Sequence, residues 1–170
     1  MIYKLNILFK SYYSLMEKIT LKSFNCYTFA YKTDQAYNHI FYITLGEEVK
    51  KLEQFNNQPI IASIEFVTNM SNNDGIISSI WVKPEYRQMG FAYFLFLRAI
   101  ARLSIIGVKS VYLDDTSDRY KKPNNLYKLL GFKYVEKYGP TMTASIKTLT
   151  RLRNLKYFLN HPNWKSHFLV

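Results

Sequence analysis

Between residues 60 and 113 the chain runs strand, turn, strand, helix, strand, and that order leaves few folds open. Residues 60–68 (IIASIEFVT) are β-branched and aromatic and have high strand propensity. Residues 69–75 (NMSNNDG) are dense in turn formers and end on Asp74-Gly75. Residues 76–82 (IISSIWV) read as the returning strand of a hairpin. Pro84 stops that strand, residues 90–103 have helical composition, and Gly107 closes the helix. A buried-type strand follows at residues 110–113. A strand, a helix and a second strand in succession imply a parallel pair with a right-handed crossover. Combined with the hairpins, this predicts an α/β fold: a mixed, mostly antiparallel sheet with helices on both faces.

The flanks are less explicit. Residues 21–31 read weakly as strand, Thr33-Asp34 reads as a helix cap, and residues 47–55 (EEVKKLEQF) read as helix. Residues 114–122 are a polar loop, and Pro123-Asn124-Asn125 opens a short helix that Gly131 ends. Residues 132–135 and 141–146 make a last hairpin around Gly139-Pro140. The expected organisation is an extension at residues 1–15, a domain at 16–146, and a basic tail at 147–170 that packs on the domain as a helix, the alternative being that its Tyr157, Phe158 and Trp164 stack on single-stranded nucleic acid. Residues 1–15 equally fit an ordinary first strand.

With 170 residues, the chain suits one domain. Its apolar fraction of 48% excludes an intrinsically disordered chain. Cys26 is the only cysteine, which excludes an internal disulfide and a cysteine-based zinc site and fits a reducing compartment. The longest apolar run, residues 89–101, is too short to span a membrane and carries Arg98. No signal peptide is recognisable, so a cytoplasmic location is expected. The net charge of +11 suits an anionic partner, although coding bias toward Lys, Asn, Ile and Tyr explains it equally well.

The richest local signal is V82-K-P-E-Y-R-Q-M-G-F-A92, where an apolar strand turns directly into a helix. A helix start leaves backbone N–H groups unpaired and carries positive partial charge. Gly90 lets a ligand approach the backbone, and Ala92 is nearly as small. The N–H groups of Gln88, Met89, Gly90, Phe91, Ala92 and Tyr93 suit a pyrophosphate, with Arg87 adding positive charge. The plain alternative is a helix start with a glycine in its first turn. A second signal is N124-N-L-Y-K-L-L-G-F132, in which Tyr127 rides a short helix; alone it reads as core packing by Leu126, Leu129 and Leu130.

Together, P-x-x-R-x-x-G-x-A, helix, strand and L-Y-x-x-x-G-F over residues 60–146 resemble the GNAT superfamily of N-acetyltransferases, and in general style acetyltransferases of large DNA viruses. The resemblance implies a splayed parallel strand pair, with the pantetheine arm of acetyl-CoA pairing along Ile80, Trp81 and Val82. It implies that the Arg87–Ala92 turn holds the pyrophosphate, that Asn124 or Asn125 contacts the CoA arm, and that Tyr127 protonates the departing thiolate. A phenol stays protonated at neutral pH and suits that task. The reaction implied is direct attack of a primary amine on the thioester.

The sequence departs from a common family pattern in having no carboxylate at residues 76–79. Glu65, Asp74 and the Asp114-Asp115 pair are the candidate bases. Asp114, Asp115 and Asp118 also form an acidic run beyond residue 113, where ligands of parallel strands bind, and fit a cationic amine. A solvated loop with turn hydrogen bonds is the equal alternative.

No metal is expected, because His39, His161 and His167 are scattered and read as surface or half-buried side chains. Cys26 reads as core, and Trp81 as a residue facing the opposite side of the sheet as plain core. The expected partners are acetyl-CoA and an amine, with a homodimer compatible. No membrane is expected, and no nucleic acid, since no RNA-binding or helix-turn-helix signature appears. The alternative to an enzyme is a non-catalytic module that holds acyl-CoA or a partner.

Overall fold

The computed structural model describes residues 24–33, 36–46, 57–69, 71–151 and 167–168. The expected helix at 47–55, the extension at 1–15 and most of the tail lie outside them. The elements are β1 (Phe24–Lys32), β2 (Ala36–Leu45), β3 (Ile60–Asn69), β4 (Asp74–Val82), a 3-10 turn (Pro84–Tyr86), α1 (Phe91–Ile106), β5 (Ser110–Asp114), α2 (Leu126–Leu130), β6 (Lys133–Tyr134), β7 (Thr141–Ser145), α3 (Ile146–Leu149) and β8 (His167–Phe168). The sheet order is β6-β7-β5-β4-β3-β2-β1-β8, with β4–β5 and β1–β8 parallel and every other pair antiparallel. The mixed, mostly antiparallel sheet with a parallel pair is therefore as the strand pattern requires.

One element differs from expectation. Thr33 closes a hairpin instead of capping a helix: its backbone N–H and its hydroxyl both donate to the Ala36 carbonyl. The chain then returns as β2, in which His39, Phe41 and Ile43 are buried on alternate positions. That alternation is the strand signature, and the apolar Ile40 and aromatic Tyr42 between them masked it. The β3–β4 turn also ends earlier than expected. The Asn69 and Asn72 side chains accept from the Ser71 and Asp74 backbones, so Asp74 and Gly75 already belong to β4. Gly75 is there for packing, since a Cβ at that position would lie 2.9 Å from Leu103 Cδ2 of α1.

The core sits between the sheet and α1. Phe94, Leu95, Phe96, Leu97, Ala99, Ile100 and Leu103 of α1 are buried against Ile64 and Phe66 of β3, Val111 and Leu113 of β5, and Met142 of β7. Four consecutive buried residues mean that the first half of α1 is covered on nearly all sides, which anchors its start. Each large side chain so buried stabilises the fold by about 2 kcal/mol. By strand alternation, a smaller cluster of Tyr27, Phe29, Tyr42 and Ile60 forms on the opposite face. Among the described residues, no helix is long and apolar enough to cross a membrane.

His39 is not a surface residue. It is 3% exposed, stacks on Phe66 with ring centroids 4.9 Å apart, and among the described residues neither ring nitrogen has a hydrogen-bond partner. Burial first, and the Arg102 charge second, push its pKa down to about 4. Cys26 is buried as expected, and burial raises its thiol pKa.

Candidate active site

β4 and β5 part company halfway along β4. Their pairing runs from Asp74↔Ser110 to Ile77↔Leu113, after which β5 ends at Asp114 while β4 continues to Val82. On its other edge β4 stays paired with β3 as far as Ala62↔Val82. A bulge lies where the two edges diverge. Glu65 faces Ser79 and Phe66 faces Ile77, so Ser78 is the extra residue, and its hydroxyl donates to the Glu65 carbonyl at 3.2 Å. A bulge bends its strand and sharpens the local twist. Among the described residues no strand pairs with 78–82 on the β5 side. Ile80 and Val82 are half-buried beside the core, whereas Trp81 is 42% exposed and so is not the plain core residue expected.

The turn that follows holds the helix start in place. The Lys83 N–H donates to the Ile61 carbonyl at 2.8 Å, and Arg87 Nε donates to the Val82 carbonyl at 3.2 Å. Arg87 thus clamps the end of β4, and its guanidinium charge is fixed at the strand–helix junction. Gln88 and Gly90 both take left-handed backbone angles, at φ 62° and 86°. That geometry is strained for Gln88 and relaxed for Gly90. Gly90 is the N-cap of α1 with no side-chain cap, and the first helical bond runs from the Phe94 N–H to the Gly90 carbonyl at 2.9 Å. The backbone N–H groups of Gly90, Phe91 and Ala92, at the very start, have no acceptor within the helix. Phe91 packs against Phe24 and Tyr86, with ring centroids 5.2 and 6.3 Å away, which fixes the direction of this helix end.

The second motif is built around Asn125. Its carbonyl oxygen caps α2 by accepting from the Tyr127 and Lys128 N–H groups. Its amide nitrogen donates to Asp115 Oδ2 at 2.6 Å and to the Arg119 carbonyl at 3.1 Å. Asn125 is fully buried, so it positions Tyr127 and is not placed to touch a ligand, whereas Asn124 is exposed. The Tyr127 ring is half-buried 6.0 Å from Phe96 of α1. Among the described residues its hydroxyl has no hydrogen-bond partner. Burial first, and the Asp115 charge second, raise its pKa above the ordinary phenol value.

Asp115 is a structural carboxylate. It is 2% exposed and accepts from the Ser117 N–H, the Ser117 hydroxyl, the Asn125 amide and the Tyr134 hydroxyl. Burial pushes its pKa up, but the hydrogen bonds, led by the Ser117 hydroxyl and then Tyr134, outweigh that and leave it below the ordinary range. A general base at neutral pH needs the opposite shift. The expected acidic patch is also broken up, because Asp114 accepts from the Thr141 hydroxyl at 2.7 Å and only Asp118 stands free on the loop surface. Asp74 begins β4, at the opposite end of the strand from Val82. Glu65 lies beside the bulge, on the face opposite Ile64 and Phe66, near Tyr42, whose pKa is raised by burial first and the Glu65 charge next.

What the loop does present is a set of tyrosines with lysines over them. Lys121 Nζ lies 5.1, 5.2 and 5.9 Å from the ring centroids of Tyr120, Tyr134 and Tyr138. The interleaved R119-Y-K-K122 and K133-Y-V-E-K-Y138 segments carry this signal in the sequence, but it becomes one cluster only when the fold joins the two loops.

The model of the acetyltransferase (GNAT) family matches residues 9–132. No curated protein matches the chain by sequence. Among solved structures, a GNAT-family acetyltransferase from Staphylococcus aureus Mu50 is similar at 15% identity and a TM-score of 0.50, over 64% of this chain and 68% of that one. An acetyltransferase assigned to the same family in Desulfovibrio desulfuricans is similar at 11% identity and a TM-score of 0.50, over 64% of this chain and 69% of that one. The KacTA–DNA complex is similar at 9% identity and a TM-score of 0.51, over 76% of this chain and 77% of that one.

Proposed function

The chain belongs to the acetyltransferase (GNAT) family, and from that premise we propose that it is an N-acetyltransferase, moving an acetyl group from acetyl-CoA to a primary amine by direct attack on the thioester. One observation carries the reading: the edge of β4 at residues 78–82, unpaired among the described residues, runs straight into a helix start whose cap is a left-handed glycine. An extended pantetheine arm finds backbone partners along Ile80, Trp81 and Val82, as an added strand would. A diphosphate finds the N–H groups from Gln88 to Ala92, with the Arg87 charge beside them. Among the described residues no side chain caps α1 in competition with it.

Acetyl-CoA supplies the activated acyl group. The protein supplies position and proton control. Backbone N–H groups near Val82 polarise the thioester carbonyl. The Tyr127 phenol, kept protonated well above neutral pH by burial, gives its proton to the departing sulfur. The amine must shed a proton first. Asp115 is committed to its loop, so Glu65, or water leading to solvent along the open side of β4, takes that proton.

The test has two arms. Thermal shift with CoA, against NAD and ATP as controls, reads the cradle. Thiol release from acetyl-CoA with spermidine, free lysine, aminoglycosides and lysine peptides reads the reaction. Stabilisation by CoA alone, together with thiol release for one amine class, is the expected result. CoA binding with no release for any amine would make the protein an acyl-CoA-binding module, and stabilisation by NAD or ATP but not CoA would remove the cradle assignment.

A further inference from the structure

Beyond the carboxyl end of β5, the loops at residues 115–125 and 135–140 are locked into one surface. The Tyr120 hydroxyl donates to the Tyr138 and Gly139 carbonyls at 3.3 and 3.2 Å. The Asp115 N–H donates to the Pro140 carbonyl at 3.0 Å, and Lys121 Nζ donates to the Lys137 carbonyl. The Tyr134 hydroxyl accepts from the Lys121 N–H at 2.8 Å and donates to buried Asp115. Little ordering is therefore left to be done when something binds.

The outward side combines flat rings with positive charge. Tyr138 is 83% exposed and Tyr120 is 38% exposed. Lys137 Nζ lies 5.2 Å from the Tyr138 ring centroid, and Arg119 and Lys122 are exposed alongside. Residues 115–140 hold six basic side chains against three acidic ones, and one of those acids is the buried Asp115. An acidic peptide would satisfy the lysines but has no flat faces for the rings. A small anion would satisfy one lysine and leave Tyr138 in water. A chain of phosphates carrying unpaired bases satisfies both.

We infer that this surface binds single-stranded nucleic acid, with bases stacking on Tyr138 and Tyr120 and phosphates meeting Lys122, Lys137 and Arg119. The net charge of +11 draws such a partner in from a distance, and the tyrosine–lysine cluster gives it a place to dock. No linear motif announces the site, because two separate loops build it. The binding rests on no part of the acetyltransfer reading.

The experiment is fluorescence anisotropy with a labelled RNA oligonucleotide of about 12 nucleotides, within the span of one compact site, repeated across a salt series. The expected result is saturable binding that weakens steadily as salt rises. Tyr138→Ala should weaken it about ten-fold by loss of one stacked base, and Lys122→Glu with Lys137→Glu should weaken it further. Both variants should keep the melting temperature and the CoA-induced shift of the parent. Absence of saturable binding, or binding that neither variant changes, would overturn the proposal. Displacement by polyglutamate as effective as by unlabelled RNA would also overturn it, in favour of an acidic protein. A missing CoA shift in the parent chain, with RNA binding intact, would count against acetyl transfer alone.

Discussion

The buried His39 makes stability fall with acid in a way that can be calculated. In the unfolded chain its imidazole takes a proton near its ordinary value of 6.5; in the native core it does so only at about 4. Between those values the unfolded state binds more protons, so stability drops as pH falls, and the loss is complete near the lower value. At 1.36 kcal/mol per unit, the full loss is about 3 kcal/mol, of which about 2 kcal/mol is already expressed at pH 5. Nothing is lost above the upper value, where the ring is neutral in both states. The assay is urea denaturation of the parent chain and His39→Phe at pH 7 and pH 5. Phenylalanine keeps the stack on Phe66 and removes two buried nitrogens that have no partners among the described residues. His39→Phe should therefore be at least as stable at pH 7 and should lose about 2 kcal/mol less than the parent on going to pH 5. Subtracting one protein from the other cancels every other titrating group. Equal acid losses in both proteins would refute the reasoning, and so would a variant that is several kcal/mol less stable at pH 7, since that would mean the imidazole nitrogens do have partners.

Tyr127→Phe should cut thiol release about a hundred-fold, as loss of a general acid does, with CoA affinity almost unchanged; turnover at the parent rate would remove the phenol from the chemistry. Gly90→Glu should abolish the CoA-induced thermal shift by steric block and charge repulsion, while Gly90→Ala should cost about 1 kcal/mol of stability through its left-handed backbone, both read by melting. Asp115→Ala should destabilise the fold by about 3 kcal/mol, because it orphans the buried amide of Asn125 and the half-buried donors of Ser117 and Tyr134, and denaturant midpoints read this directly. Because its native pKa is depressed, the stability that Asp115 adds is present above its unfolded value of 3.8 and vanishes only as pH falls through the lower native value. The His39 loss and the Asp115 loss are therefore separable along one acid titration.

Local chemistry determined much of this protein before any folding in space. The β-branched runs at residues 60–68 and 76–82, the glycine after α1 and the Asn-rich opening of α2 each act on near neighbours, so the hairpin, the crossover and the parallel pair were readable in order. The strand–turn–helix junction at residues 82–92 was readable for the same reason, since its parts lie within eleven consecutive residues. Three features needed the tertiary structure. β2 is a strand because its alternate side chains meet β3 and α1, and a Thr-Asp pair cannot signal that in advance. Asp115 reads as a free acid until Asn125 and Tyr134, ten and nineteen residues away, close on it and take up its lone pairs. The end of pairing between β4 and β5 belongs to no single residue, arising where a bulge at Ser78 interrupts one strand just as its neighbour ends. Sequence proximity sets turns, caps and helix starts, whereas burial and charge depend on what the folded chain brings alongside.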